Sequence, residues 1–162
     1  MPAGASRKVS RSSALRQAIE EKFYPFAQGR GFIRGKASSM FTPFHRLRGP
    51  TVQVFDIQWE KYGRPCFVVN FGEAPSGGAV FDGQLVPADK LQPAQCRLNG
   101  RLQRWRGGSL RTWFQLSKPW SETLRTLRWT YTPDEVVAQL IRSFAELEAW
   151  WETKHAGRHV HM

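Results

Sequence analysis

The sequence predicts an α+β domain, an antiparallel sheet of about five strands flanked by an N-terminal and a C-terminal helix. Three observations predict it. Between Thr51 and Gly72, Phe55, Ile57 and Trp59 alternate with smaller or polar residues, and Phe67, Val69 and Phe71 repeat the alternation; a period of two marks half-buried strands. Upstream, Leu15, Ile19, Phe23 and Phe26 recur at helical spacing and form one apolar stripe. Downstream, Thr132-Pro133-Asp134-Glu135 places a capping threonine, a proline at the first helical position and a glutamate at the third.

The elements follow in order. Residues 1–12, basic and serine-rich, read as a flexible arm with no apolar core behind it, so not as a secretory signal. A helix starts at Ser12 or Ser13, with a kink or early stop at Pro25 and a left-handed stop at Gly31 before Phe32. A first strand spans 37–47; Pro43 cannot donate to a ladder, which makes that strand an edge or breaks it.

The hairpin around Lys61-Tyr62-Gly63-Arg64 is expected to pair Ile57 with Phe67 and Phe55 with Val69, which sets the large side chains on one face. Six such side chains contribute about 1.5–3 kcal/mol each when fully buried. Val54, Asp56, Gln58, Cys66, Val68 and Asn70 then share the second face. A Gly/Pro-rich insertion, 73–93, holds a small hairpin around Asp82-Gly83. One or two strands follow, near 96–104 and 110–116, and the last helix runs to about Lys154 with Val136, Val137, Leu140, Ile141, Phe144, Leu147 and Trp151 as its apolar face. Residues 13–155 thus make a single domain, and 156–162 an exposed tail.

Two cysteines, Cys66 and Cys96, make neither a disulfide framework nor a zinc pattern and read as reduced. With no membrane span this points to a cytoplasmic protein with no membrane partner. His155, His159 and His161 have no carboxylate or cysteine nearby in sequence to complete a metal set, so neither a metal nor another cofactor is expected.

The formal charge of +11 is segregated. Residues 1–50 hold ten Lys/Arg against two acids, and residues 97–128 hold eight against Glu122 alone; the blocks between and after them are each acidic by two charges. Such a pattern suits either an anionic partner or plain solubility in an arginine-favouring chain. Within the second basic block Arg97, Arg101, Arg104, Arg106 and Arg111 are interleaved with Trp105 and Trp113, the residue types that clamp phosphate and stack on bases. Strand alternation splits them, with Arg104 and Arg106 beside Leu102 and Arg101 opposite. Trp113 reads as core.

Asp56, Gln58 and Asn70 form either a polar pocket or a hydrogen-bonded tie to a neighbouring loop. No nucleophile, phosphate-loop or metalloprotease motif is present. His45 and Asp56 lack a serine or cysteine partner, so no catalytic residue is assigned.

Gly31-Phe32, Ile57-Gln58, Asn70-Phe71-Gly72, Cys96-Arg97 with Arg101-Leu102, and Trp113-Phe114-Gln115-Leu116 together resemble a family of small, mostly bacterial domains of unknown function. The resemblance spans roughly residues 15–116. It implies an α+β domain and no established activity. The function expected is a non-catalytic binding module for an anionic partner such as nucleic acid. The alternatives are a protein-interaction module of antitoxin-like or assembly type, anchored by the Pro43 edge strand or by Trp120, Trp129 and Trp150, and an unrecognised enzyme acting on an anionic substrate in a pocket holding His45, Asp56, Gln58 and arginines.

Overall fold

A computed structural model describes residues 9–162; most of the expected basic arm lies outside the described residues. The N-terminal helix is built from α1 (Arg11–Ala18), a π-helical turn (Ile19–Phe23) and α2 (Tyr24–Gly29). Its cap is Ser10, which accepts from the Ser13 N–H, so it opens ahead of the expected Ser12 or Ser13. Pro25 neither stops nor visibly breaks it. The wide turn just before the proline carries Tyr24 N–H back to Ile19 C=O, and helix resumes. At the C-terminus Gly31, at φ 85°, donates to Gln28 C=O while Phe32 donates to Ala27 C=O. This double closure needs a left-handed residue and drops Phe32 into the core.

The main sheet has seven strands, more than the five expected: β1 (Ile33–Arg34), β2 (Phe41–Arg48), β3 (Thr51–Trp59), β4 (Cys66–Pro75), β7 (Leu98–Leu102), β8 (Phe114–Gln115) and β9 (Val160–His161). Their order is β1-β2-β3-β4-β7-β9, with β8 sharing the outer side of β4, and every pairing is antiparallel. β5 (Ala79–Phe81) and β6 (Gln84–Val86) form the small hairpin around Asp82-Gly83, both at positive φ, as the sequence predicted.

The long hairpin keeps its predicted faces but not its predicted register. Ile57 opposes Val69, Phe55 opposes Phe71 and Trp59 opposes Phe67, a shift of two residues. The connection is longer than the turn read from sequence because the Glu60 carboxylate organises it, accepting from the N–H groups of Tyr62 (2.8 Å) and Arg64 (3.1 Å). A shift of two preserves side-chain parity, so the aromatic face still points inward. β2 is not the edge strand; β1 covers part of it, and Gly35 N–H reaches Pro43 C=O (2.8 Å). Pro43 therefore turns its donorless nitrogen away from β3, towards the side where β1 has only two residues.

One face of the sheet packs on the helices. Phe23, Phe32, Phe44, Phe55, Phe71, Phe144, Trp150 and Trp151 belong to this core. α4 (Pro133–Thr153) is capped as predicted by Thr132 and Glu135. Arg46, 4 % exposed, ties β2 to α4 by donating to both oxygens of Glu148, and also donates to Gln53 Oε1 (2.8 Å) and Arg30 C=O (2.9 Å). A short helix, α3 (Trp120–Thr126), was not expected. Nor was β9: the terminal segment is no exposed tail, since Val160 is buried and opposes Leu102.

Candidate functional site

The second face of the sheet is covered at two places. At one end Leu91 of the insertion and Cys96 just beyond it pack on Val52, Val54 and Ala74. Gly72 makes this close approach feasible, because a Cβ there would lie 2.7 Å from the Cys96 Cβ. Elsewhere on that face Trp113 packs on Cys66 and Val68, as core, as expected. Asp56, Gln58 and Asn70 lie on the same face outside both apolar clusters and line a cleft of about 840 Å3.

Strand register builds the floor of that cleft. Pro43, Asp56, Asn70, Arg101 and His161 stand directly opposite one another on β2, β3, β4, β7 and β9, and so form one row across five strands. Asn70 is the hub. Its amide nitrogen donates to Asp56 Oδ1 (2.7 Å) and Gln58 Oε1 (2.9 Å), and its oxygen accepts from Arg101 Nε (3.0 Å). The hub uses both of its donors and one lone pair of its oxygen, and among the described residues it leaves groups on its neighbours without a hydrogen-bond partner: the amide nitrogen of Gln58, the terminal nitrogens of Arg101 and the second oxygen of Asp56. Asp56 is buried, and desolvation pushes its carboxyl up to about 6, against the opposing pull of the Asn70 hydrogen bond and the Arg101 charge.

The cleft shares Gly35, Lys36 and Ser38 with a smaller pocket of about 280 Å3 that holds Arg16 and Arg34. The two pockets adjoin at the 35–38 segment along the β1 edge, the smaller on the helix-packed face beside Thr42 and Trp59 and the larger on the second face. Along this edge groove lie Arg16, Arg34, Lys36, Lys90 and Arg101, drawn from four parts of the chain, with three carboxylates, Glu20, Asp56 and Asp89. Arg16 lies over the Trp59 ring (4.3 Å) and Arg34 over Tyr24 (5.3 Å), which orients both guanidinium groups.

The structure brings the predicted polar trio together and adds Arg101 to it. It does not gather the five arginines. Arg104 donates to Ser117 C=O (2.6 Å) and Arg111 C=O (2.8 Å) and lines a different cleft. Arg106 binds the carbonyls of Val160 (3.1 Å), Ala156 (2.8 Å) and Gly157 (2.9 Å), holding the terminal segment. Arg97 and Arg111 are exposed outside the groove. His45 opposes Val54 and does not line the cleft. Of the three tryptophans considered as anchors Trp150 is buried, while Trp120 and Trp129 are 66 % and 70 % exposed. His159 does find a carboxylate, Glu146 (2.6 Å), which sequence spacing did not show. Among the described residues no cluster of three metal-ligating side chains forms, and no helix is long and apolar enough to cross a membrane.

No local motif in the sequence marks Arg16, Arg34, Lys36 and Lys90 as residues that line these pockets. Their only sequence signal is the +8 of residues 1–50 and an isolated lysine in the insertion. Compared with known protein families, curated proteins and solved structures, the chain matches none.

Proposed function

We propose that this protein is a non-catalytic binding module for an anionic partner, nucleic acid in the first instance, held in the groove along β1 and the second face of the sheet. One observation carries the reading: five cationic side chains from separate parts of the sequence line two pockets that adjoin at the 35–38 edge, and a pre-organised polar network floors the larger of them. Arg101 has its Nε fixed by Asn70, so its terminal nitrogens face a phosphate without further ordering cost. Lys36 and Lys90 supply charge along the path. The Gln58 amide and Asp56 carboxyl present hydrogen-bonding groups of the kind that read exposed base edges in a single strand.

The test is fluorescence anisotropy with a labelled single-stranded oligonucleotide at low salt. Substituting Lys36→Gln together with Arg101→Gln is expected to weaken binding at least tenfold. Arg128→Gln, outside the groove and paired with Glu135, is expected to leave it unchanged. Equal losses in both variants would remove the groove from the account.

The exposed pair Trp120 and Trp129, ring centroids 6.2 Å apart, favours a second reading as a protein-interaction module. Leu124 and Leu127 are exposed in the same segment, and Lys118, Arg125 and Arg128 lie among them in sequence, so the partner would be an acidic amphipathic segment. A stoichiometric partner that survives nuclease treatment and is lost on Trp120→Ser with Trp129→Ser supports this reading; a partner retained by that variant removes it.

A further inference from the structure

A second cleft, about 730 Å3, shares no lining residue with the groove. Four separated stretches bring arginines to it: Arg104 after β7, Arg125 on α3, Arg142 on α4 and Arg158 before β9. Three glutamates also line it, and each is already engaged. Glu122 accepts from the Tyr131 hydroxyl. Glu135 caps α4 and is held by Arg128 (3.2 Å), which comes from outside the cleft. Glu146 accepts from the backbone N–H of His159 (2.7 Å) and contacts its Nδ1 (2.6 Å).

Three of the four arginines are in the opposite state. Among the described residues Arg125, Arg142 and Arg158 have no hydrogen-bond or ion-pair partner, while Arg104 is fixed by two carbonyls and lies over the Trp105 ring (4.0 Å). Three unspent guanidinium forks around one cavity, with the local acids occupied, are matched by an anion that offers several oxygen pairs at once. The cavity is in the size range of small-ligand sites and is too roomy for a single phosphate.

We propose that this cleft binds a compact ligand carrying two or three linked phosphates, either inorganic polyphosphate or the phosphate chain of a nucleotide. The inference goes beyond strand binding in the groove and is carried by different residues.

Isothermal titration calorimetry of the full chain with inorganic tripolyphosphate, orthophosphate and a nucleoside triphosphate tests it. Tripolyphosphate is expected to bind at least tenfold tighter than orthophosphate. Arg142→Gln with Arg158→Gln, both solvent-exposed, is expected to weaken it at least tenfold, with an unchanged melting temperature showing that the variant folds. Lys36→Gln with Arg101→Gln is expected to leave it unchanged, so the groove and the cleft fail independently. A nucleoside triphosphate binding tighter than tripolyphosphate identifies the nucleotide as the source; equal or weaker binding identifies the bare phosphate chain. Absence of tripolyphosphate binding at millimolar concentration, or dependence on the groove residues instead of Arg142 and Arg158, overturns the proposal. So does an oligonucleotide without terminal phosphates that displaces tripolyphosphate, since the cleft would then belong to the strand.

Discussion

Replacing Asp56 by asparagine is expected to stabilise the protein, and more so at neutral than at acid pH. Asp56 is 7 % exposed, and burial raises its carboxyl from 3.8 to about 6. Between those values the unfolded chain holds fewer protons at this position than the folded one, so stability falls as pH rises from about 4 to about 6 and stays lower above. The size of that loss follows from the displacement and comes to ~3 kcal/mol. Asparagine keeps an oxygen for the Asn70 amide, which now donates to Asp56 at 2.7 Å, and carries no charge to desolvate. Urea unfolding of both proteins at pH 4 and pH 7.5 measures the effect. Other titrating groups are common to both proteins and cancel in the difference. The variant's advantage at pH 7.5 should exceed that at pH 4 by up to about 3 kcal/mol. A difference independent of pH, or a variant less stable than its parent only at pH 7.5, would show that desolvation does not raise the Asp56 carboxyl.

Three further outcomes are expected. Gly72→Ala sets a Cβ 2.7 Å from the Cys96 Cβ and 2.9 Å from its Sγ, and should cost about 1–3 kcal/mol in denaturant unfolding while loosening the insertion that walls the cleft. Glu148→Ala leaves Arg46 charged and buried against Phe32 and should cost about 3 kcal/mol, measured the same way; a loss under 1 kcal/mol would mean that water reaches Arg46. Burial pushes the thiols of Cys66 and Cys96 up to about 11, so neither should be alkylated readily at pH 7.5 in the native protein and both should react in urea, as mass spectrometry would show.

Legibility in the sequence followed the range of the interactions. The Thr132–Glu135 cap, the Asp82-Gly83 turn and the Gly31 stop depend on a few adjacent residues, and all three were readable. Side-chain parity in the long hairpin was readable because it needs only alternation; its register was not, since the Glu60 carboxylate lengthens the turn. α3 escaped because its large apolar residues, Trp120 and Leu124, face solvent and give no core periodicity. β9 is two residues held by pairing Val160 and His161 with Leu102 and Arg101, far upstream in the chain. Asp56, Gln58 and Asn70 were visible as a set because two adjacent strands carry them. Arg101 joins them only through the β4–β7 register, while Arg97 precedes β7, and Arg104, Arg106 and Arg111 leave for other surfaces once β7 ends at Leu102.

The salt dependence of oligonucleotide binding is the decisive measurement for an anion-binding groove. Each phosphate neutralised on a single strand contributes about −0.7 to the slope of log K against log salt, so five groove cations set a limit near −3.5. A steep slope approaching that limit is expected, shallower by about 1.4 once Lys36 and Arg101 are both glutamine. A parent slope shallower than −1, or a slope that the double variant leaves untouched, would show that these cations do not hold phosphates.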